Sequence, residues 1–269
     1  MVKKLIKHEF VAFNRTLLPI EFIMLGIALL TRFVQLFEND TTAFKIVGTS
    51  SVIMFVICMI VLLVATFFVG ITRFYKNLFT LEGYLSFTLP VTTSQHIFTK
   101  LLVSIVYTFI SLVNIVVSVC IATAGEMCSE LFKAAGYILK HFFDFAKGHS
   151  VPFILEAILL VILLTVSGYL LFFACISVGQ LAKKNRVLAA FGAYFVYYVI
   201  TQIVGTVIII VGSIIVENVD LDPLIHWIVN NPFATTHICL CGGCVLALIL
   251  SAIWYLISYK IIKNKLNLE

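Results

Sequence analysis

Six long apolar stretches dominate this sequence, and they decide what it can fold into. The first covers roughly 17–37, with Glu21 and Arg32 near its ends. The second, Ile46 to Ile71, and the third, Leu101 to Gly125, carry no charge. The fourth runs from Val151 to Ala182 with Glu156 near its start, the fifth, Val187 to Val216, is uncharged, and the sixth covers about 233–259. The hydrocarbon core of a bilayer, about 30 Å thick, needs about 20 apolar residues of helix. All six stretches reach that length, and a helix satisfies its own backbone hydrogen bonds in lipid. A transmembrane barrel would show short alternating segments instead. Of the 269 residues, 62% are hydrophobic and 12% charged, against about half and about a quarter in soluble domains. A soluble fold of this size has too little interior for so much apolar surface, and the same numbers exclude disorder. The expected fold is an all-α membrane protein, one transmembrane domain over 1–269 with six spanning helices.

Lys and Arg set the expected orientation. With the N-terminus inside, Lys3, Lys4, Lys7, Arg15, Arg73, Lys76, Lys100, Lys183, Lys184, Arg186, Lys260, Lys263 and Lys265 fall on the inner side. Arg32, Lys45, Lys133, Lys140 and Lys147 fall outside, together with Glu38, Asp40, Glu126, Glu130, Asp144, Glu217, Asp220 and Asp222. Both termini are therefore expected in the cytoplasm of a cell with a multi-pass protein in its plasma membrane. Lys3, Lys4 and Lys7 imitate the start of a signal peptide. The apolar run after them is long, holds Glu21 and lacks a small-residue cleavage site, so it reads as a retained first helix. The net charge of +5 lies in short clusters between apolar runs with no basic-aromatic module, so membrane lipid and not nucleic acid is the expected partner.

Two connecting segments have amphipathic spacing. Over 1–14, Val2, Leu5, Ile6, Phe10 and Phe13 share one helical face and Lys3, Lys4 and Lys7 lie away from it. That pattern predicts an interfacial helix on the inner leaflet, its lysines meeting anionic lipid. Between Met127 and Lys147, Leu131, Ala135, Ile138, Phe142 and Phe145 form a stripe. Glu130, Lys133, Lys140, Asp144 and Lys147 form another, with Lys140 and Asp144 four residues apart. An outer interfacial helix, a plain lid over the bundle, is expected there.

The segment 73–100, between two clean apolar runs, is long and mixed: Arg73 to Thr80, then Leu81, Glu82, Gly83, Tyr84 and Leu85, then Leu89, Pro90, Val91, Thr92, Thr93 and Ser94, ending at Lys100. Leu81, Tyr84, Leu85 and Thr88 can form a short helix face, Pro90 ends it, and Thr92, Thr93 or Ser94 can cap the next helix. A short helix held between two spanning helices can pass a push from a cytoplasmic partner to the membrane.

Glu82-Gly83-Tyr84-Leu85, followed by Leu89-Pro90-Val91-Thr92 and Lys100, resembles the coupling region of ABC-2 type transporter permeases, the six-helix membrane subunits of ATP-binding cassette exporters. The basic amphipathic N-terminus, the short charged loop after the fourth run and the segment Glu217 to Pro232 before the sixth resemble that family's layout. The resemblance implies that Glu82, Gly83, Tyr84 and Leu85 lie on or beside a coupling helix that docks on an ATPase, and that Pro90 and Thr92 shape its exit. It implies a transport pathway near the second and fifth helices, with Thr49, Ser50, Ser51, Tyr197, Tyr198, Thr201 and Gln202 beside it. It also implies a second permease subunit, the same or different, and a separate ATPase subunit that binds ATP and Mg.

The chain has no GxxxxGK[ST] sequence, so no nucleotide site of that kind is expected on it. Ser177-Val-Gly-Gln180 matches part of an ABC signature but ends an apolar run, and a phosphate site needs a soluble Gly-rich loop before a helix. No catalytic residue, metal or resident cofactor is expected. His237, Cys241 and Cys244 share a face with the spacing a soft metal favours, but with Gly242 and Gly243 they read better as small residues for close helix packing. Cys58, Cys120, Cys128, Cys175, Cys239, Cys241 and Cys244 form no disulfide framework, though Cys120 and Cys128 flank one outer loop and could pair. Glu21 and Glu156 are acids within apolar runs, where a substrate or proton role is worth testing. The alternatives to transport are a membrane scaffold or sensor and, further off, an intramembrane enzyme using Glu156 or a histidine.

Overall fold

A computed structural model describes residues 2–37, 42–80, 83, 88, 90–124, 126–146, 148, 150–182, 184–218 and 222–264. Eight helices occupy these residues: α1 (Val2–Leu36), α2 (Thr42–Phe79), α3 (Thr93–Ala122), α4 (Glu126–Ala146), α5 (Ser150–Gly179), α6 (Arg186–Asn218), α7 (Asp222–Asn230) and α8 (Pro232–Asn264). Of these, α1, α2, α3, α5, α6 and α8 are long and apolar enough to cross a membrane, as a multi-pass membrane protein requires. Each runs to 30 residues or more, which at about 1.5 Å per residue exceeds the hydrocarbon core. All but α5 outrun the apolar stretches that announce them, because a charged side chain near an end does not stop the backbone ladder. Glu82, Tyr84 and Leu85 lie outside the described residues, as do Leu81, Leu89, Glu38, Asp40, Lys147, Lys183, Asp220 and Lys265.

The contacts divide the chain into two compact units, 1–141 and 142–269. In the first, α1, α2 and α3 pack on one another in all three pairings. The expected interfacial segment 1–14 and the span from 17 share one continuous helix, α1. Its buried residues Glu9, Phe13, Leu17, Met24, Ala28 and Thr31 recur at helical spacing, so one stripe serves both parts. Pro19 sits inside α1. It removes one N–H from the ladder without ending the helix. The apolar N-terminal face meets protein: Ile6, Phe10, Phe13 and Leu17 pack with Val103 and Tyr107 of α3. A second cluster, Met24, Ala28, Phe55, Leu62 and Ala122, fills the other half of the three-helix unit. The amphipathic segment after α3 is helical, as its stripe predicts. Phe132, Ile138 and Leu139 of α4 are exposed.

In the second unit α5 packs on α8 and on α6. Leu163, Cys244 and Ala247 form its compact apolar cluster, with Leu160 against them. No residue of α6 is buried. The fourth apolar run extends to Ala182, yet α5 stops at Gly179. A side-chain carbon at Gly179 would lie 2.6–2.7 Å from the backbone and Cβ of Ala190 at the start of α6, so only glycine allows the two helices this approach. Asn185 takes a left-handed conformation, φ 57°, a conformation asparagine adopts more readily than most residues, and its carbonyl accepts the Ala189 N–H at 3.0 Å to open α6. All seven cysteines are free, Cys120 and Cys128 included.

Candidate functional site

The candidate site is the connection between α2 and α3 and the polar groups that mount it. The described residues of the mixed segment 73–100 are mostly helix: α2 continues through Arg73 to Phe79, and α3 begins at Thr93. Thr92 is the N-cap of α3, with φ −74° and ψ 154°. Its hydroxyl accepts the Gln95 N–H at 3.4 Å, and its own N–H donates to Gln95 Oε1 at 3.1 Å. This reciprocal capping box satisfies two N–H groups that the first turn leaves open. Gly83 is buried and donates its N–H to Thr80 O at 2.7 Å, while Pro90 is exposed.

Both ends of this connection are tied to α1. Lys100 Nζ lies 2.6 Å from Glu9 Oε1, and both side chains are only 4% exposed. Asn77 Nδ2 of α2 donates to the same oxygen at 2.9 Å. One carboxylate oxygen thus joins three helices, while Glu9 Oε2 has no hydrogen-bond partner among the described residues. Arg73 donates to Ala12 O at 2.9 Å, and its guanidinium sits over the Phe13 ring, 5.9 Å from the centroid. The Tyr107 hydroxyl lies 2.7 Å from Asn14 Oδ1 and 3.1 Å from Phe10 O, and its ring stacks on Phe13 at 5.1 Å. Desolvating a charge pair costs several kcal/mol, and the pair compensates only with good geometry and extra hydrogen bonds. Its worth is in fixing register: α1, the end of α2 and the start of α3 have one mutual position that keeps Glu9 and Lys100 together.

A second polar group lies further along the same three helices. Ser111 Oγ of α3 is 3.2 Å from Glu21 Oε1 of α1 and 2.8 Å from Thr66 Oγ1 of α2. Thr66 Oγ1 is also 2.8 Å from Leu62 O. Asn114 Nδ2 donates to the Glu21 carbonyl at 3.2 Å, and Ser118 lies 3.2 Å from Asn114 Oδ1.

The residues associated by resemblance with a pathway fall into both units. In the first, Thr49, Ser50 and Ser51 bond back to the carbonyls of Lys45, Val47 and Gly48, and Thr31 Oγ1 reaches Ser51 O at 3.4 Å. In the second, Tyr197 meets the Trp254 ring edge-on at 5.1 Å, Thr201 donates to Tyr197 O, and Tyr198 and Gln202 are exposed. Glu156 there is paired with His237, whose Nδ1 lies 2.8 and 2.9 Å from its two oxygens. The Phe153 ring stacks on His237 at 4.2 Å, and His237 forms one wall of a hollow of about 690 Å³ lined also by Asn230, Asn231 and Phe233. Cys244 is buried against α5, and a side chain at Gly243 would press on Leu160 at 3.2 Å. No three metal-ligating side chains converge among the described residues.

Sequence reasoning missed Glu9 and Lys100 as a pair. Lys100 counts there only as one of the inner basic residues, and Glu9 is not singled out. No protein-family model matches the chain, and no curated protein or solved structure does so either.

Proposed function

We propose that this protein is the permease subunit of an ABC-2 type transporter in the plasma membrane, exporting a hydrophobic or amphipathic substrate. ATP and Mg are held by a separate cytoplasmic ATPase, and a second permease subunit completes the pathway. The single observation that most supports this role is the mount of the 80–92 connection. A segment that receives force must not simply flex. Here the helices on either side of it are clamped to α1 by a buried ion pair, with Asn77 on the same carboxylate. Displacement of the connection is then passed to three helices together. In this role Gly83 and Thr92, with Glu82, Tyr84, Leu85 and Pro90, form the docking element, and nucleotide-driven closure of the ATPases shifts the permease between two states by differential binding.

The test is co-expression with each candidate ATP-binding cassette ATPase of the same genome, capture through a tag on the permease, and ATP hydrolysis in proteoliposomes. Co-purification of the ATPase is expected. Replacing 80–90 with a Gly-Ser segment of equal length should abolish both capture and stimulated hydrolysis. Survival of both would refute the role.

A further inference from the structure

Three acids lie in helices long and apolar enough to cross a membrane and point into a helix interface: Glu9, Glu21 and Glu156. Glu9 is matched by Lys100 and Glu156 by His237. Glu21 has no ion pair among the described residues. Nor does sequence supply one nearby. On α1 no other charged residue lies between Arg15 and Arg32, on α2 no charged or titratable residue lies between Cys58 and Arg73, and on α3 only Tyr107 lies between Lys100 and Cys120.

The hydrogen bonds around Glu21 can be counted proton by proton. Three contacts form a chain: Glu21 Oε1 to Ser111 Oγ, Ser111 Oγ to Thr66 Oγ1, and Thr66 Oγ1 to Leu62 O. Each needs one hydrogen. A hydroxyl supplies one, and a carbonyl oxygen supplies none. Ser111 and Thr66 together supply two, and at 0% and 1% exposure neither can borrow a third from water. With an ionised Glu21, one of the three contacts has no hydrogen. With a protonated Glu21 all three are made in one direction: Glu21 donates to Ser111, Ser111 to Thr66, and Thr66 to the Leu62 carbonyl.

We infer that Glu21 is a proton-binding site within the membrane, and that the Ser111–Thr66 chain reports its occupancy to the backbone of α2. When the proton leaves to water from the half-buried carboxyl, the Ser111 hydrogen turns to Glu21 and the Thr66 hydrogen turns to Ser111. Leu62 O then keeps only its helical partner. The proton is conserved, no covalent bond between heavy atoms changes, and the chain reverses direction. This gives the three-helix unit two hydrogen-bonded states distinguished by one proton, whatever the protein transports.

Infrared spectroscopy of the full chain in lipid bilayers at neutral pH tests this. The wild type should show the carbonyl stretch of a protonated carboxylic acid. Glu21→Gln should remove that band, and since the amide N–H can donate to Ser111 in place of the carboxyl, it should leave the melting temperature unchanged. Ser111→Ala should keep the band and shift it, and this variant serves if Glu21→Gln fails to fold. A wild-type spectrum without the band, a band that survives Glu21→Gln, or one unmoved by Ser111→Ala would each overturn the inference.

Discussion

The two units of this chain hold their helices together by different means. In the first, polar side chains cross from helix to helix along its length: Lys100 to Glu9, Asn77 to Glu9, Arg73 to Ala12, Tyr107 to Asn14, Ser111 to Thr66, and Asn114 to Glu21. In the second, Glu156 meets His237 and, through its carbonyl, Cys244. Elsewhere in it Tyr197 meets Trp254 and small residues allow close packing, Gly179 against Ala190 and Gly243 against Leu160. Lipid is as apolar as leucine, so burial alone does little to hold helices together in a membrane. Polar crosslinks fix a register, because each has one partner. Small-residue packing fixes a distance and leaves sliding cheaper. A first unit that keeps its shape and a second that adjusts follow from this contrast.

The contrast can be broken most severely at Lys100. Lys100→Met leaves Glu9 buried without its counter-charge and should cost about 3–5 kcal/mol, read as a fall in unfolding free energy in detergent. The double variant Glu9→Met with Lys100→Met should recover most of it. The matching change in the second unit, His237→Ala, should cost less, because the Glu156 side chain keeps 22% of its surface exposed. If the two single variants cost the same, the units do not differ as described. Next in size, Gly179→Val forces a side chain into the Ala190 backbone and should cost about 1–3 kcal/mol as overpacking, with cysteine crosslinking reporting a changed α5–α6 spacing. Thr92→Ala removes the cap of α3 and should cost about 1 kcal/mol, seen as faster amide exchange in the first turn of α3 with α5 and α8 unaffected. Smallest, Tyr107→Phe deletes one crosslink to α1 and should cost about 0.6 kcal/mol, the average for such bonds in a membrane.

What could be read from sequence was whatever depends on neighbours in the chain. The six apolar helices follow from local hydropathy, and the helix Glu126–Ala146 from a stripe within one segment. The Thr92 cap follows from a threonine three residues before Gln95. The Glu9–Lys100 pair could not be read this way. Its members are 91 residues apart; Glu9 follows the Lys3, Lys4 and Lys7 cluster, and Lys100 stands at the start of an apolar run, places where a charge is ordinarily solvated. The amphipathic face of 1–14 was visible, but amphipathy does not say whether lipid or protein covers it. Phe13 and Leu17 are covered by α3, and the clue was continuity, since the stripe goes on through Met24 and Ala28. Glu21 was visible as an acid in an apolar run. Its hydroxyl partners were not, because serine and threonine in membrane helices ordinarily bond their own carbonyls.

The Glu9–Lys100 tie also has a consequence for how the protein is made. Glu9 leaves the ribosome 91 residues before the lysine that neutralises it. At about 5–20 residues per second, that interval is roughly 5–18 s. During it the carboxylate has no cation to meet it, and Asn77, 68 residues on, is the first of its two partners to be made. The full set of contacts on Glu9 therefore forms only once the start of α3 has been made.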